Sequence, residues 1–122
     1  MIALILSLAA VLAQTTMATT SLTEADAGTT RTVQLEEKVE LHLPENPSTG
    51  YRWSINIVPP EAAAVIANDW SPAGPGVGAT GTREFIITTK KPGTVMLRAK
   101  LWREWQGEGS ITQRREFTLQ VP

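Results

Sequence analysis

The sequence predicts an all-β sandwich, and three observations carry that expectation. Apolar residues return at every second position in several separate runs, Gly and Pro cluster between the runs, and no long stretch keeps the 3.6-residue period of a helix. At 122 residues and 42% hydrophobic, the chain can bury one adequate core without disulfides or metals.

The elements follow in order. Arg31–Gln34 reads as a short first strand. Over Lys38–Leu43, Val39, Leu41 and Leu43 alternate with Glu40 and His42; over Tyr51–Val58, Trp53, Ile55 and Ile57 alternate with Arg52, Ser54 and Asn56. Each pattern gives a strand with one buried face, and Trp53 shares the buried parity. Pro60–Asn68 (PEAAAVIAN) reads either as a short helix or as one helical turn leading into an irregular strand near Ala64–Asn68. Trp70, beside Asp69 and Ser71, belongs either to the core or to a loop platform. Arg83–Thr89 places Phe85 and Ile87 on one face, Thr94–Leu101 does the same with Val95, Leu97, Ala99 and Leu101, and Gln113–Val121 with Arg115, Phe117, Leu119 and Val121. About seven strands at this spacing fit an immunoglobulin-like sandwich over residues 31–122. With no Cys in the chain, packing between the sheets alone must hold it.

Upstream of these strands the first charged residue is Glu24. Ile2–Ala13 (IALILSLAAVLA) is almost wholly aliphatic and Ala, but falls short of the roughly 20 residues a spanning helix needs. Residues 1–18 are therefore read as a signal peptide or N-terminal leader, cleaved after Ala13 or after Ala18. Since no basic residue precedes the apolar run, the other readings are a start inside a longer leader and a short retained anchor. The Thr-, Ala- and Ser-rich residues 19–30 have no apolar period and are expected to be a flexible spacer. Export to the periplasm or the extracellular space follows, with no stable membrane span in the mature chain. The absence of Cys fits an oxidising compartment.

Composition removes several function classes. Eleven basic against twelve acidic side chains argue against nucleic acid or a polybasic membrane surface as partner. Without Cys, and with His42 alone, thiol chemistry is gone and the usual two-histidine or Cys/His zinc sites cannot form. Ser48 has no evident base, because His42 shares its strand face with Glu40, and no Gly-x-Ser-x-Gly elbow exists. The chain is expected to be a monomer that is not an enzyme, with no catalytic residue, metal or cofactor.

In a sandwich of alternately directed strands, three of the connections leave the same end. They are Pro44–Gly50 (PENPSTG), Ser71–Gly81 (SPAGPGVGATG) and the segment carrying Trp102-Arg103-Glu104-Trp105. At the opposite end, Glu36-Glu37, Pro59-Pro60 and Lys90–Gly93 look like solvated turns. The unusual chemistry gathers at the first end, where loops on a rigid scaffold usually bind. Pro47 fixes φ, Asn46 and Ser48 can hydrogen-bond the local backbone, and Gly50 allows a positive φ. The glycines of the second loop let main chain approach a partner. Trp105 is of the hot-spot type, and Arg103 can stack or pair with carboxylates.

Asn46-Pro47-Ser48-Thr49-Gly50-Tyr51, then Gly76-Val77-Gly78-Ala79-Thr80, then Arg103-Glu104-Trp105 resemble, in this order and spacing, the chagasin family of cysteine-peptidase inhibitors. That family shows an N-P-T-T-G-Y/F loop, a G-x-G-G-type loop and an R-P-W loop, and the match extends from Val33 to the C-terminus. The resemblance implies a wedge of three loops that enters the cleft of a papain-like cysteine peptidase reversibly and without covalent chemistry. Asn46, Pro47, Ser48, Thr49 and Gly50 would take its centre, followed by Tyr51. Ser48 and Thr49 would lie near the peptidase's catalytic groups. Gly76, Val77, Gly78 and Ala79 would run beside the substrate groove, and Arg103, Glu104 and Trp105 would pack on the leaving-group side. Ser48 stands where the family more often has Thr, Ala79 where Gly is usual and Glu104 where Pro is usual. The last departure implies a third loop that is less preorganised.

A competing function is a secreted carbohydrate-binding or adhesion module built on the four tryptophans. It requires at least two exposed, coplanar Trp rings. The inhibitor reading requires Trp105 at a loop tip, level with Ser48 and Gly78, whereas the plainer reading has Trp102 or Trp105 simply cap the sandwich. Each motif also has a plainer reading: Asn46–Gly50 as a stable turn, the glycine segment as a mobile tip, and Arg114-Arg115 as strand-edge material.

Overall fold

The computed structural model describes residues 18–73 and 80–122. Eight strands form two four-stranded sheets: β1 (Thr19–Thr23), β2 (Thr30–Thr32), β3 (Lys38–Glu45), β4 (Arg52–Val58), β5 (Ala63–Pro72), β6 (Gly81–Thr89), β7 (Gly93–Trp102) and β8 (Gln113–Val121). One sheet has the order β1-β3-β6-β5 and the other β2-β8-β7-β4, the immunoglobulin-like sandwich expected from the alternation. Among the described residues no helix is long and apolar enough to cross a membrane.

The alternating residues supply the inner faces. Val39, Leu41 and Leu43 of β3 and Phe85 and Ile87 of β6 meet Trp53 of β4, Val95, Leu97 and Ala99 of β7, and Phe117, Leu119 and Val121 of β8, all buried. Ile55, Ile57 and Leu101 pack against this core with part of their surface exposed. Burial of this apolar surface is the main favourable term in a chain without disulfides.

The sequence reading needs three corrections. Residues 19–30 are not a flexible spacer: β1 runs parallel to β3, β2 parallel to β8, and Leu22 is buried in the core. Edge strands complete their ladders with main-chain groups, which composition does not reveal, and Leu22 alone sets no period. Glu37 is likewise not a solvated turn residue. It is buried, accepting the Gln34 N–H at 2.7 Å and the Thr20 hydroxyl, which ties β1 to the turn before β3. Finally, the helical reading of 60–68 gives way to its alternative, a 3-10 turn at Pro60–Ala62 followed by β5, whose register shifts between Val65 and Ala67.

Strand pairing brings the loop bases to one end. Glu45, the last residue of β3, and Pro72, the last of β5, both pair with Gly81, the first of β6. In the other sheet, Arg52 at the start of β4 pairs with Trp102 at the end of β7, and Leu101 pairs with Gln113 at the start of β8. The Trp53 indole N–H donates to Pro44 O at 2.7 Å and joins the two sheets there.

Truncation of Leu22 tests the first correction. Leu22→Ala is expected to cost about 2–4 kcal/mol in urea unfolding, whereas a residue in a spacer would cost nothing measurable.

Candidate functional site

The first loop is a closed turn held by its own polar groups. Asn46 accepts the Ser48 N–H at 3.1 Å and the Ser48 hydroxyl at 2.7 Å on its side-chain oxygen. The Thr49 hydroxyl donates to Asn46 O at 2.8 Å and accepts the Tyr51 N–H at 3.2 Å. Pro47 opens a 3-10 turn over Pro47–Thr49, and Gly50 ends it in the left-handed region at φ 82°. The Ser48 hydroxyl is thus bonded to Asn46, while the His42 ring lies between Glu40 at 3.3 Å and Glu84 at 3.4 Å. No base addresses the serine among these contacts.

A buried ion pair supports this loop from below. The Glu45 carboxylate has no solvent exposure and accepts the Trp53 N–H at 2.7 Å, Arg83 Nε at 3.2 Å and Arg83 Nη2 at 2.6 Å. Arg83 Nη1 continues to the Asn68 side-chain oxygen at 3.0 Å. The Trp70 indole N–H donates to Glu45 O at 3.0 Å, and the Trp70 ring lies so close to Gly81 that a Cβ there would sit 2.5 Å from it. Trp70 is therefore a platform at the bases of the first two loops, under Glu45 and Gly81. Glu45 and Arg83 were not singled out from the sequence. Their signal was parity: Glu45 continues the inward set of Val39, Leu41 and Leu43, and Arg83 shares the face of Phe85 and Ile87.

The second loop closes through the Ala73 N–H to Thr80 O at 3.0 Å. Gly76, Val77, Gly78 and Ala79 lie outside the described residues.

The third loop leans on the first. Arg103 Nε and Nη2 donate to Thr49 O at 3.2 and 3.0 Å, and its guanidinium lies 4.4 Å from the Tyr51 ring centroid. Arg103 thus spends this fork on the neighbouring loop. Glu104–Gln106 form a 3-10 turn that carries Trp105, which is 70% exposed. The Trp105 ring edge passes over Gly50, where a Cβ would come within 2.7 Å of it. Pro47, Gly50, Tyr51, Arg52, Glu104 and Trp105 line a cleft of about 530 Å3 between the two loops. On the far side Lys100 sits 3.6 Å over the Trp102 ring and donates to Glu108 at 2.7 Å. The hydrogen bond from Lys100, then its charge, holds the Glu108 carboxyl below its ordinary value. That tie is present at neutral pH and is lost as pH falls through the lowered value.

Of the four tryptophans only Trp105 is exposed, since Trp53 is buried and Trp70 and Trp102 are half-buried. The paired, coplanar rings required by the carbohydrate or adhesion reading are absent. Glu40, His42 and Glu84 have metal-ligand spacing, with donor atoms within 4.8 Å of one another, but they sit on the outer face of β3 and β6 and engage each other.

With this geometry in place, the chain matches the Chagasin family peptidase inhibitor I42 over residues 32–121. It belongs to the chagasin family of peptidase inhibitors. Chagasin from Trypanosoma cruzi is 34% identical over 102 residues, covering 80% of this chain and 91% of that protein. The fold is similar to that of the cysteine protease inhibitor EhICP2 from Entamoeba histolytica, with a TM-score of 0.79 and 23% identity over 87% of this chain and 97% of that one. Amebosin follows at 0.70 and 24% over 84% and 97%, and PbICP-C, solved in complex with falcipain-2, at 0.54 and 15% over 91% and 96%.

Gly50→Ala forces a side chain into the left-handed region and against Trp105. It is expected to lower stability by about 1–2 kcal/mol, read from thermal or urea unfolding.

Proposed function

We propose that this chagasin-family chain is a reversible, non-covalent inhibitor of papain-like cysteine peptidases. The observation that carries the reading is a first loop locked by its own hydrogen bonds, beside an exposed Trp105 braced on Gly50. A loop that enters a peptidase cleft must resist relaxing into an extended substrate, and Asn46–Gly50 meets that need with internal bonds rather than reactive groups. Its ordering cost is met before binding, which favours affinity. In this reading Asn46, Pro47, Ser48, Thr49 and Gly50 fill the cleft centre and Tyr51 backs them. Gly76 to Ala79 flank the groove, and Glu104 and Trp105 reach the leaving-group side while Arg103 holds the two loops together.

The partner class is supported by the family, by EhICP2, which is described as a cysteine protease inhibitor, and by PbICP-C, which was solved in complex with falcipain-2. We further propose that the chain acts as a monomer and is exported to the periplasm or the extracellular space. The apolar leader Ile2–Ala13 and the absence of Cys support export.

Titration against papain with a fluorogenic peptide tests the reading, with a serine peptidase as control. Saturable, reversible loss of papain activity alone is expected; a folded sample without effect on papain overturns it. Trp105→Ala is expected to raise the inhibition constant about 30-fold, as for a central aromatic anchor, with an unchanged melting transition. A loss that merely tracks stability would argue against a contact at Trp105.

A further inference from the structure

Ser110 lies half-buried at the far side of the third loop, six residues after the turn-opening Glu104, and its hydroxyl is the hub of that loop. It accepts the Arg103 N–H at 3.0 Å, and it has Gly107 O at 2.7 Å and Arg103 O at 2.9 Å as acceptors for its single proton. Arg103 and Gly107 bracket the turn that presents Trp105, and Gly107 is the joint, at φ 75°, to a second 3-10 turn over Glu108–Ser110. One hydroxyl therefore clamps both ends of the Trp105 turn. By accepting the Arg103 N–H, it also steadies the residue whose guanidinium grips Thr49 O.

We propose that Ser110 is the positioning residue of the inhibitory surface: without touching the peptidase, it fixes Trp105 and Arg103 relative to the first loop. The proposal rests on the inhibitor reading above. It also accounts for an ordered third loop with Glu104 at its tip. Glu104 is the first residue of the turn, where a 3-10 turn leaves the N–H unused, and Arg103 before it is extended at φ −98° and ψ 105°. A proline ring at 104 is compatible with that backbone and restricts the same turn by a covalent route. Ser110 does by hydrogen bonding what a ring at 104 would do by fixing φ.

The test compares the parent chain, Ser110→Ala, Ser110→Thr and the double variant Ser110→Ala with Glu104→Pro. Amide hydrogen exchange in the free protein reads the clamp, and papain inhibition reads its consequence. In Ser110→Ala the Arg103 amide is expected to exchange about tenfold faster and the inhibition constant to rise about tenfold, because fewer molecules hold the competent loop. The melting transition should stay close to the parent's. Ser110→Thr, which keeps the hydroxyl, and the Glu104→Pro double variant should both recover most of the inhibition. Given an inhibitory parent, unchanged exchange or unchanged inhibition in Ser110→Ala overturns the proposal, as does a loss that proline at 104 and threonine at 110 both fail to rescue. If the parent itself leaves papain untouched, the inhibitor reading fails, and with it any positioning role in inhibition. Faster Arg103 exchange in Ser110→Ala would then identify a clamp with structural work alone.

Discussion

Everything at the loop end stands on a carboxylate that water does not reach. Glu45 is the last residue of β3, and its side chain would be costly to bury if its oxygens were unpaired. They are paired by Arg83 and by the main chain of Trp53, so one group links β3, β6 and β4 across both sheets. Losing either charge would leave the other stranded at a cost of about 3–5 kcal/mol. Trp70 closes the arrangement by donating to the Glu45 carbonyl and packing on Gly81. The bases of the first and second loops are thereby set by a single polar knot.

Above that knot the loops are stiffened in layers. Asn46, Thr49 and Gly50 close the first loop on itself; Arg103 then binds the third loop to the carbonyl of Thr49 and stacks on Tyr51. Trp105 is exposed, and its ring can rest against the first loop because position 50 is a glycine, where a larger residue would displace it. Such a surface spends little conformational entropy on binding, and its working parts are backbone and one aromatic ring rather than reactive groups. That design is compatible with a chain without Cys and with a single His that lies elsewhere, on the outer face of β3 and β6.

Much of this was legible in the residues. The period-2 runs of Val39–Leu43, Trp53–Ile57, Val95–Leu101 and Phe117–Val121 are local consequences of the pleat, so they mark strands and inner faces wherever the chain goes. The Asn-Pro-Ser-Thr-Gly turn is equally local, since its bonds join residues at most three apart. Less legible was β1, where one buried Leu22 in a Thr-rich stretch is held by ladder bonds to β3 that no side-chain pattern announces. The glutamates misled for a related reason: Glu37 and Glu45 look like turn residues in sequence, and their burial depends on partners that arrive from Thr20 and Arg83.

The sequence by itself therefore determined the class of fold, the inward face of most strands, the local closure of the first loop and the family, because each rests on short-range spacing or on motif order. The tertiary structure alone decided that Arg103 would serve the first loop, that Trp70 would become a platform while Trp105 stayed exposed, and that Ser110 would clamp the third loop. The first two depend on distances between residues 25 to 54 positions apart. The Ser110 clamp spans only seven positions, but its contacts to Arg103 exist only after the hairpin between β7 and β8 has brought both ends of the loop together.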